Sequence, residues 1–196
     1  MALPASDTFT YTDGDLDVRN ASWTQLNASA KVTVSGNKAA GAATGECGAL
    51  WNADTFNNDQ YSKAKPDDTQ YSGVCVRAGQ AGTSTFDCYV ALWAVGGSLV
   101  YLQKANNGSR AGITSFGAPT YVAGASLELR ISGTTLQVFY NGSQVGTDQT
   151  DSDLSSGSAG IYVLSGSAPK VDDWEGGNLG GAVAARPSGL MLLGVR

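Results

Sequence analysis

Leu127-Glu128-Leu129-Arg130-Ile131-Ser132-Gly133-Thr134-Thr135-Leu136-Gln137-Val138-Phe139-Tyr140-Asn141-Gly142-Ser143-Gln144-Val145-Gly146-Thr147 holds two apolar-polar alternations separated by turn residues. A period of two places Leu127, Leu129 and Ile131 on one face of a strand and Glu128 and Arg130 on the other. In the next strand Leu136, Val138 and Tyr140 point inward and Gln137 and Phe139 outward. Asn141-Gly142 supplies the two positive-φ positions of a type I′ hairpin, and Ser132-Gly133-Thr134 makes the preceding turn. Three consecutive antiparallel strands follow.

The rest of the chain keeps this grammar, with short apolar or aromatic runs between Gly, Ser, Asn and Asp. No segment carries a helical stripe over three turns. Strands are expected near 7–11, 31–35, 48–52, 59–65, 71–78, 85–94, 98–104, 111–115, 126–132, 135–140, 143–149, 158–164 and 170–175. Their spacing of about 8–12 residues is that of an all-β sandwich or barrel. Composition agrees: 26 of 196 residues are glycine and 15% are charged, which argues against coiled coils, surface helices and disorder. The length suits one domain, so we expect a sandwich over 1–177 and a Gly/Ala-rich arm over 178–196.

The absent residues exclude chemistry. There is no histidine, which removes the commonest general base and every Ser-His or Cys-His pair. The net charge is -5 and no Lys/Arg run occurs, so no nucleic-acid partner is expected. No apolar stretch approaches the ~18 residues of a membrane span, and residues 1–6 do not read as a secretion signal. Cys47, Cys75 and Cys88 have no metal-like spacing and read as buried thiols.

The hairpin over 71–94 admits two registers. One mixes Val74 and Val76 with Asp87 and Tyr89. The other groups Val74, Val76 and Ala78 with Phe86, Cys88, Val90 and Leu92, leaving Arg77, Asp87, Tyr89 and Trp93 opposite. Alternation favours the second, which puts Cys75 and Cys88 on opposite faces and predicts no disulfide between them. With the later strands this defines an outward layer of Arg77, Asp87, Tyr89, Trp93, Glu128, Arg130 and Gln137, joined by Tyr101 and Gln103.

The chain resembles the concanavalin A-like lectin and glucanase superfamily, in particular its laminin G-like jelly-roll modules. The resemblance rests on Asp7-Thr8-Phe9, Asp13-Gly14 leading to Trp23, Val34 to Ala39, Tyr71 to Ala78, Leu127 to Gly133, Leu136 to Gly142, and Val171-Asp172-Asp173-Trp174-Glu175-Gly176-Gly177. It covers about residues 5–177 and implies an antiparallel jelly-roll β-sandwich. Such modules occur as lectins, enzyme accessory domains and virion components. The superfamily's glucanases resemble one another through Glu-x-Asp-x-(x)-Glu on one strand. The three glutamates here, Glu46, Glu128 and Glu175, have no such neighbours, and a nonlocal pair such as Asp87 with Glu128 is more often partnered with Arg77 and Arg130 than catalytic.

Among other constellations, Asp13, Asp15 and Asp17 alternate as in the first half of a calcium loop, but Val18 and Thr24 stand where that loop needs Gly and Glu. A solvated acidic turn after the first strand is the preferred reading. The resemblance adds Asp151, Asp153, Asp172 and Asp173 as rim positions. Calcium is thus the one ion to test, and no other cofactor is called for. Trp23 and Trp174 read as core, while Trp93, with Tyr89, Asp87 and Arg77, reads as a sugar-stacking face. The apolar end containing Leu190, Met191, Leu192 and Leu193 is a candidate docking arm.

Two non-enzymatic readings follow. One is a surface component of a bacteriophage particle, a head-decoration or tail-associated protein held to other virion subunits by the arm and located on the virion surface. The other is an extracellular carbohydrate-binding module or lectin. A glycoside hydrolase stands behind both.

Overall fold

The computed structural model describes residues 3–41, 45–67, 70–93, 96–164 and 169–180. In chain order the elements are β1 (Ala5–Asp7), β2 (Gly14–Asp15), a single helical turn α1 (Leu16–Arg19), β3 (Trp23–Gln25), β4 (Val32–Val34), β5 (Ala39–Gly41), β6 (Glu46–Trp51), β7 (Gln60–Pro66), β8 (Ser72–Gly79), β9 (Asp87–Trp93), β10 (Leu99–Asn106), β11 (Ser109–Gly117), β12 (Leu127–Ser132), β13 (Thr135–Tyr140), β14 (Ser143–Thr150), β15 (Ser158–Leu164) and β16 (Lys170–Asn178). They form two antiparallel sheets. Sheet A runs β14-β13-β12-β7-β16-β5-β4-β2, with β1 also on β16, and sheet B runs β11-β10-β9-β8-β15-β6-β3. This is the expected jelly-roll sandwich.

The β12-β13-β14 meander forms as the alternation requires. Leu127 pairs with Tyr140 and Leu129 with Val138, and Asn141 and Gly142 take φ of 49° and 78°, the positive values of a type I′ turn. The first strand ends sooner than expected. Asp7 Oδ1 accepts the Phe9 N–H at 2.8 Å and Phe9 takes φ of 51°, which turns the chain out of the sheet. The two- and three-residue strands β2, β3 and β5 are too short for any alternation to announce them.

Between the sheets lies one core in which Trp23, Trp51 and Trp174 meet, with ring centroids 4.7 Å apart for Trp23/Trp174 and 5.3 Å for the other two pairs. Their N–H groups are satisfied. Trp23 donates to Asp7 (2.7 Å), Trp51 to Asp54 (2.9 Å) and Trp174 to Ser62 (2.9 Å), so each indole is buried without an orphaned donor.

The β8/β9 register corrects the sequence reading. Val74 pairs with Ala91, Cys75 with Val90 and Val76 with Tyr89, so Val74 and Val76 share the inter-sheet core with Tyr89 and Trp93. Cys75, Cys88, Val90, Leu92 and Phe86 form a second cluster on the outer side of sheet B. Alternation misled because β8 and β9 are covered on both faces. The loop after β8 folds over the outer one, with Gly82 N–H donating to Gln25 and Leu26 carbonyls and Ala81 packed on the cluster. A bulge between Val76 and Gly79 then shifts Ala78 to the cysteine side.

Cys75 and Cys88 therefore lie on one face, not two, and all three cysteines are free and buried. Burial, aided by the neighbouring Cys75 thiol, pushes the Cys88 thiol up. Because the thiolate is the reactive form, the native protein is expected to stay inert to the disulfide reagent DTNB at neutral pH. Guanidinium unfolding should release three reactive thiols, and a rapidly labelled native thiol would contradict this packing.

Candidate functional site

The expected outward layer divides in two. Arg77, Tyr89 and Trp93 are buried. Trp93 meets Tyr140 edge-on at 5.3 Å and Tyr121 at 6.3 Å, and Tyr89 OH donates to Asp151 (2.7 Å) and accepts the Leu154 N–H (3.0 Å). These residues offer no face to a sugar, and the stacking site expected there is not formed. Arg77 is a structural clamp. Its guanidinium donates to the carbonyls of Leu154 (2.7 Å), Gly133 (2.7 Å) and Asn58 (2.9 and 3.1 Å). Asp87 accepts the Asn107 N–H (2.6 Å) and bonds Gln80, tying two loops together. It belongs to sheet B and Glu128 to the outer face of sheet A, so the Asp87/Glu128 pair is not assembled. Tyr101 and Gln103 pair with Leu92 and Val90 on the outer side of sheet B.

Glu128, Arg130 and Gln137 do share a surface, because β12 and β13 pair in register with Arg130 opposite Gln137 and Glu128 opposite Phe139. Two strands that sequence patterning could not place beside them complete it. On β7, Lys63 is the cross-strand partner of Glu128 on one side and Glu175 of β16 on the other, while Tyr61 lies between Arg130 and Gly177. The outer face thus carries two rows, Phe139-Glu128-Lys63-Glu175 and Gln137-Arg130-Tyr61-Gly177. The inward set from the same strands includes Ser62, Ala64, Leu129 and Val138, all buried. Directly opposed side chains on one face interact, which explains the bond between Lys63 and Glu175, while Arg130 and Glu128 meet as i, i+2 neighbours on the same face of β12. Lys63 Nζ reaches Glu175 Oε1 at 3.0 Å and Arg130 Nε reaches Glu128 Oε1 at 2.6 Å.

Two aromatic rings give the surface its flat parts. The Arg130 guanidinium lies 4.0 Å from the Phe139 ring centroid, a cation-π stack that fixes a long side chain. Tyr61 lies across Gly177, where an added Cβ would come within 2.8–3.0 Å of its ring and hydroxyl. Its OH donates to Glu175 Oε1 at 2.7 Å. Here glycine is required by the close approach of a ring, not by backbone conformation. The hollow so formed has a volume of about 380 Å³ and is closed at one end by Asn178, Leu179 and Gly180. A second hollow of about 450 Å³, lined by Phe56, Asn57, Asn58 and Asp59, shares Leu179 with it.

Charge in the groove is fixed by these bonds. Burial works to raise the Glu175 carboxyl, but the Tyr61 hydroxyl and Lys63 outweigh it and hold the carboxyl below its ordinary value. Burial and Glu175 together raise the Tyr61 phenol, which stays protonated and donating at neutral pH. The interaction of ionised Glu175 with Lys63 and Tyr61 is fully present above the unfolded carboxyl pKa of about 4.3. It is lost as pH falls through the lower folded value. Asp151, lowered despite burial by Lys104 and other donors, behaves the same way. Thermal stability is therefore expected to drop as pH is lowered from 5 to 3, and a melting temperature that holds or rises over that range would contradict the pairing.

The acidic positions do not converge on a cation site. Lys31 pairs with Asp15 at 2.7 Å and with Asp17 at 4.0 Å, Gln25 donates to Asp17 (3.0 Å), and Asp13 accepts the Gly36 N–H (3.0 Å). Lys104 holds Asp151 and Asp153, and Lys65 holds Asp173. Among the described residues no group of three or more acidic or cysteine side chains is arranged to hold a metal ion. Leu190, Met191, Leu192 and Leu193 lie outside the described residues.

The jelly-roll fold is similar to that of several solved carbohydrate-binding domains. The chain is similar to the carbohydrate-binding module CBM66 from Bacillus subtilis, at 20% identity over 80% of this chain and 92% of that one, with a TM-score of 0.56. It is similar too to the exoplasmic/lumenal domain of VIP36 in its Ca2+/Man3GlcNAc-bound form (12% identity, 82% and 84% covered, TM-score 0.56). A third likeness is to the carbohydrate recognition domain of Emp46p in potassium-bound form (10% identity, 87% and 94% covered, TM-score 0.54). No family profile and no curated protein matches the sequence. At these identities the likeness shows the fold.

Proposed function

We propose that the protein is a non-catalytic carbohydrate-binding domain whose ligand lies on the outer face of sheet A, over Tyr61, Lys63, Glu128, Arg130 and Glu175. The observation that carries this reading is the groove itself: an aromatic ring laid flat beside alternating carboxylates and cations, each held by a neighbour. Sugars are recognised by such surfaces, the ring packing on the C–H face of a pyranose and the polar groups bonding its hydroxyls. CBM66 is a carbohydrate-binding module, the VIP36 domain was solved in a Man3GlcNAc-bound form and the Emp46p domain is a carbohydrate recognition domain, which supports the same reading. Hydrolysis is disfavoured because both carboxylates of the groove are bonded to a cation, Glu175 to Lys63 and Glu128 to Arg130, which opposes the protonated acid that a leaving group needs.

A place outside the cell or on a displayed surface suits this role. The narrower reading, a component of a bacteriophage particle docked through residues 178–196, draws on the apolar end of the arm. It is tested by deleting residues 181–196: unchanged incorporation into particles or oligomers would end it.

The test of the carbohydrate reading is binding of the purified protein to a broad glycan array, wild type beside Arg130→Ala, with and without a calcium chelator. Specific signal reduced at least tenfold by Arg130→Ala is expected. Because Lys31 already neutralises Asp15 and Asp17, the chelator should leave the signal unchanged. Uniform silence at high protein concentration would refute the reading.

A further inference from the structure

We infer that the ligand of this groove is an electrically neutral oligosaccharide of more than one sugar unit, an inference that rests on the carbohydrate reading above. The charges on the face cancel: two cations, Lys63 and Arg130, stand against two carboxylates, Glu175 and Glu128, each pair in contact at 3.0 or 2.6 Å. The free valences on the rim are hydrogen-bonding ones. Each carboxylate spends Oε1 on its cation, while Oε2 of both and the two terminal nitrogens of Arg130 have no hydrogen-bond or ion-pair partner among the described residues. Vicinal hydroxyls, which donate and accept at once, match alternating acceptors and donors without disturbing either ion pair.

A charged ligand fits worse in either sign. A uronate or sialate would have to draw Lys63 or Arg130 away from its carboxylate and would meet a chain of net charge -5. An amino sugar would compete with both cations for the same oxygens.

The second hollow extends the argument to chain length. It continues from the first across Leu179 and is edged by the amides Asn57 and Asn58. Its one carboxyl, Asp59, is occupied by the Gly133 N–H at 2.7 Å and the Ser132 hydroxyl at 3.2 Å. Asn178 Oδ1 accepts the Asn57 N–H at 2.8 Å, bracing the ridge between the two hollows. A linear chain lying along both meets surface whose charges are each already paired or hydrogen-bonded.

The test is calorimetric titration of the full chain with neutral hexose oligomers of one to six units in the gluco, manno, galacto and fructo series. Oligogalacturonate and glucosamine oligomers are run beside them, each at 50 and 500 mM NaCl. The inference expects one neutral series to bind, with affinity rising at least tenfold from one unit to four and changing less than about twofold with salt. Glu175→Gln leaves the groove with one excess positive charge and is expected to gain salt-sensitive binding of oligogalacturonate. Preference of the wild type for a charged series, or a monosaccharide binding as tightly as its tetramer, would overturn the inference while leaving the carbohydrate reading standing. Silence toward every series would overturn both.

Discussion

Arg77→Met is expected to destabilise the protein by about 3–5 kcal/mol: a charged donor's hydrogen bonds are worth about 1.5–3 kcal/mol each, and losing all of them is partly offset because the guanidinium need no longer be desolvated. Arg77 is 3% exposed, and three carbonyls from separate segments, those of Asn58, Gly133 and Leu154, depend on its guanidinium. Methionine fills the volume but leaves the buried Leu154 carbonyl, and the less buried carbonyls of Asn58 and Gly133, without this donor. The bulge, with Arg77 at φ of 50°, presents the side chain to these carbonyls. For a domain of this size the loss corresponds to a fall in melting temperature of roughly 6–20 °C. Arg77→Lys should rescue little, since a single ammonium cannot span the positions that a planar fork reaches. A melting temperature within 2 °C of wild type for Arg77→Met would show that the clamp is not a source of stability.

Tyr61→Ala is expected to abolish most glycan affinity, a loss of tenfold or more, with little change in stability. An aromatic platform is the type of residue that dominates binding energy at such surfaces, and tenfold corresponds to about 1.4 kcal/mol. Truncation removes the ring over Gly177 and one of the two donors that hold Glu175, so the remaining carboxylate is less fixed as well. Tyr61→Phe separates the two effects. It keeps the ring and drops the hydroxyl, and should lose less than half of the binding free energy lost by Tyr61→Ala. Retained affinity in Tyr61→Ala would move the site off this face.

These effects show which parts of the molecule a sequence can announce. Period-two alternation between two turn signals is local information, and it placed Glu128, Arg130 and Gln137 on a common outer face without knowledge of the fold. Their partners Tyr61, Lys63 and Glu175 were not legible as a group. Nothing in residues 60–66 or 170–178 says that β7 pairs with both β12 and β16. The alternation Tyr61-Ser62-Lys63-Ala64-Lys65 was a usable signal that three polar side chains face one way. What was missing was the neighbouring strand.

The failure at Arg77, Tyr89 and Trp93 has another cause. Patterning assumes one dry face and one wet face, whereas both faces of β8 and β9 are buried. A tyrosine or arginine on such a sheet can be interior if its polar end finds partners at the rim. Tyr89 finds Asp151 and Leu154, and Arg77 finds three carbonyls. The correct register was the one that mixed apolar and polar residues on a single face.

The most direct test of the central claim, that sugar is bound on the outer face of sheet A, is an amide-shift map of the isotopically labelled protein. It would be titrated with the neutral oligosaccharide that binds best. The account predicts shifts concentrated on β7, β12 and β16 around Tyr61, Lys63, Glu128, Arg130 and Glu175, fading toward sheet B. Shifts concentrated on the outer side of sheet B, around Tyr101 and Gln103, with the sheet A rows silent, would contradict it.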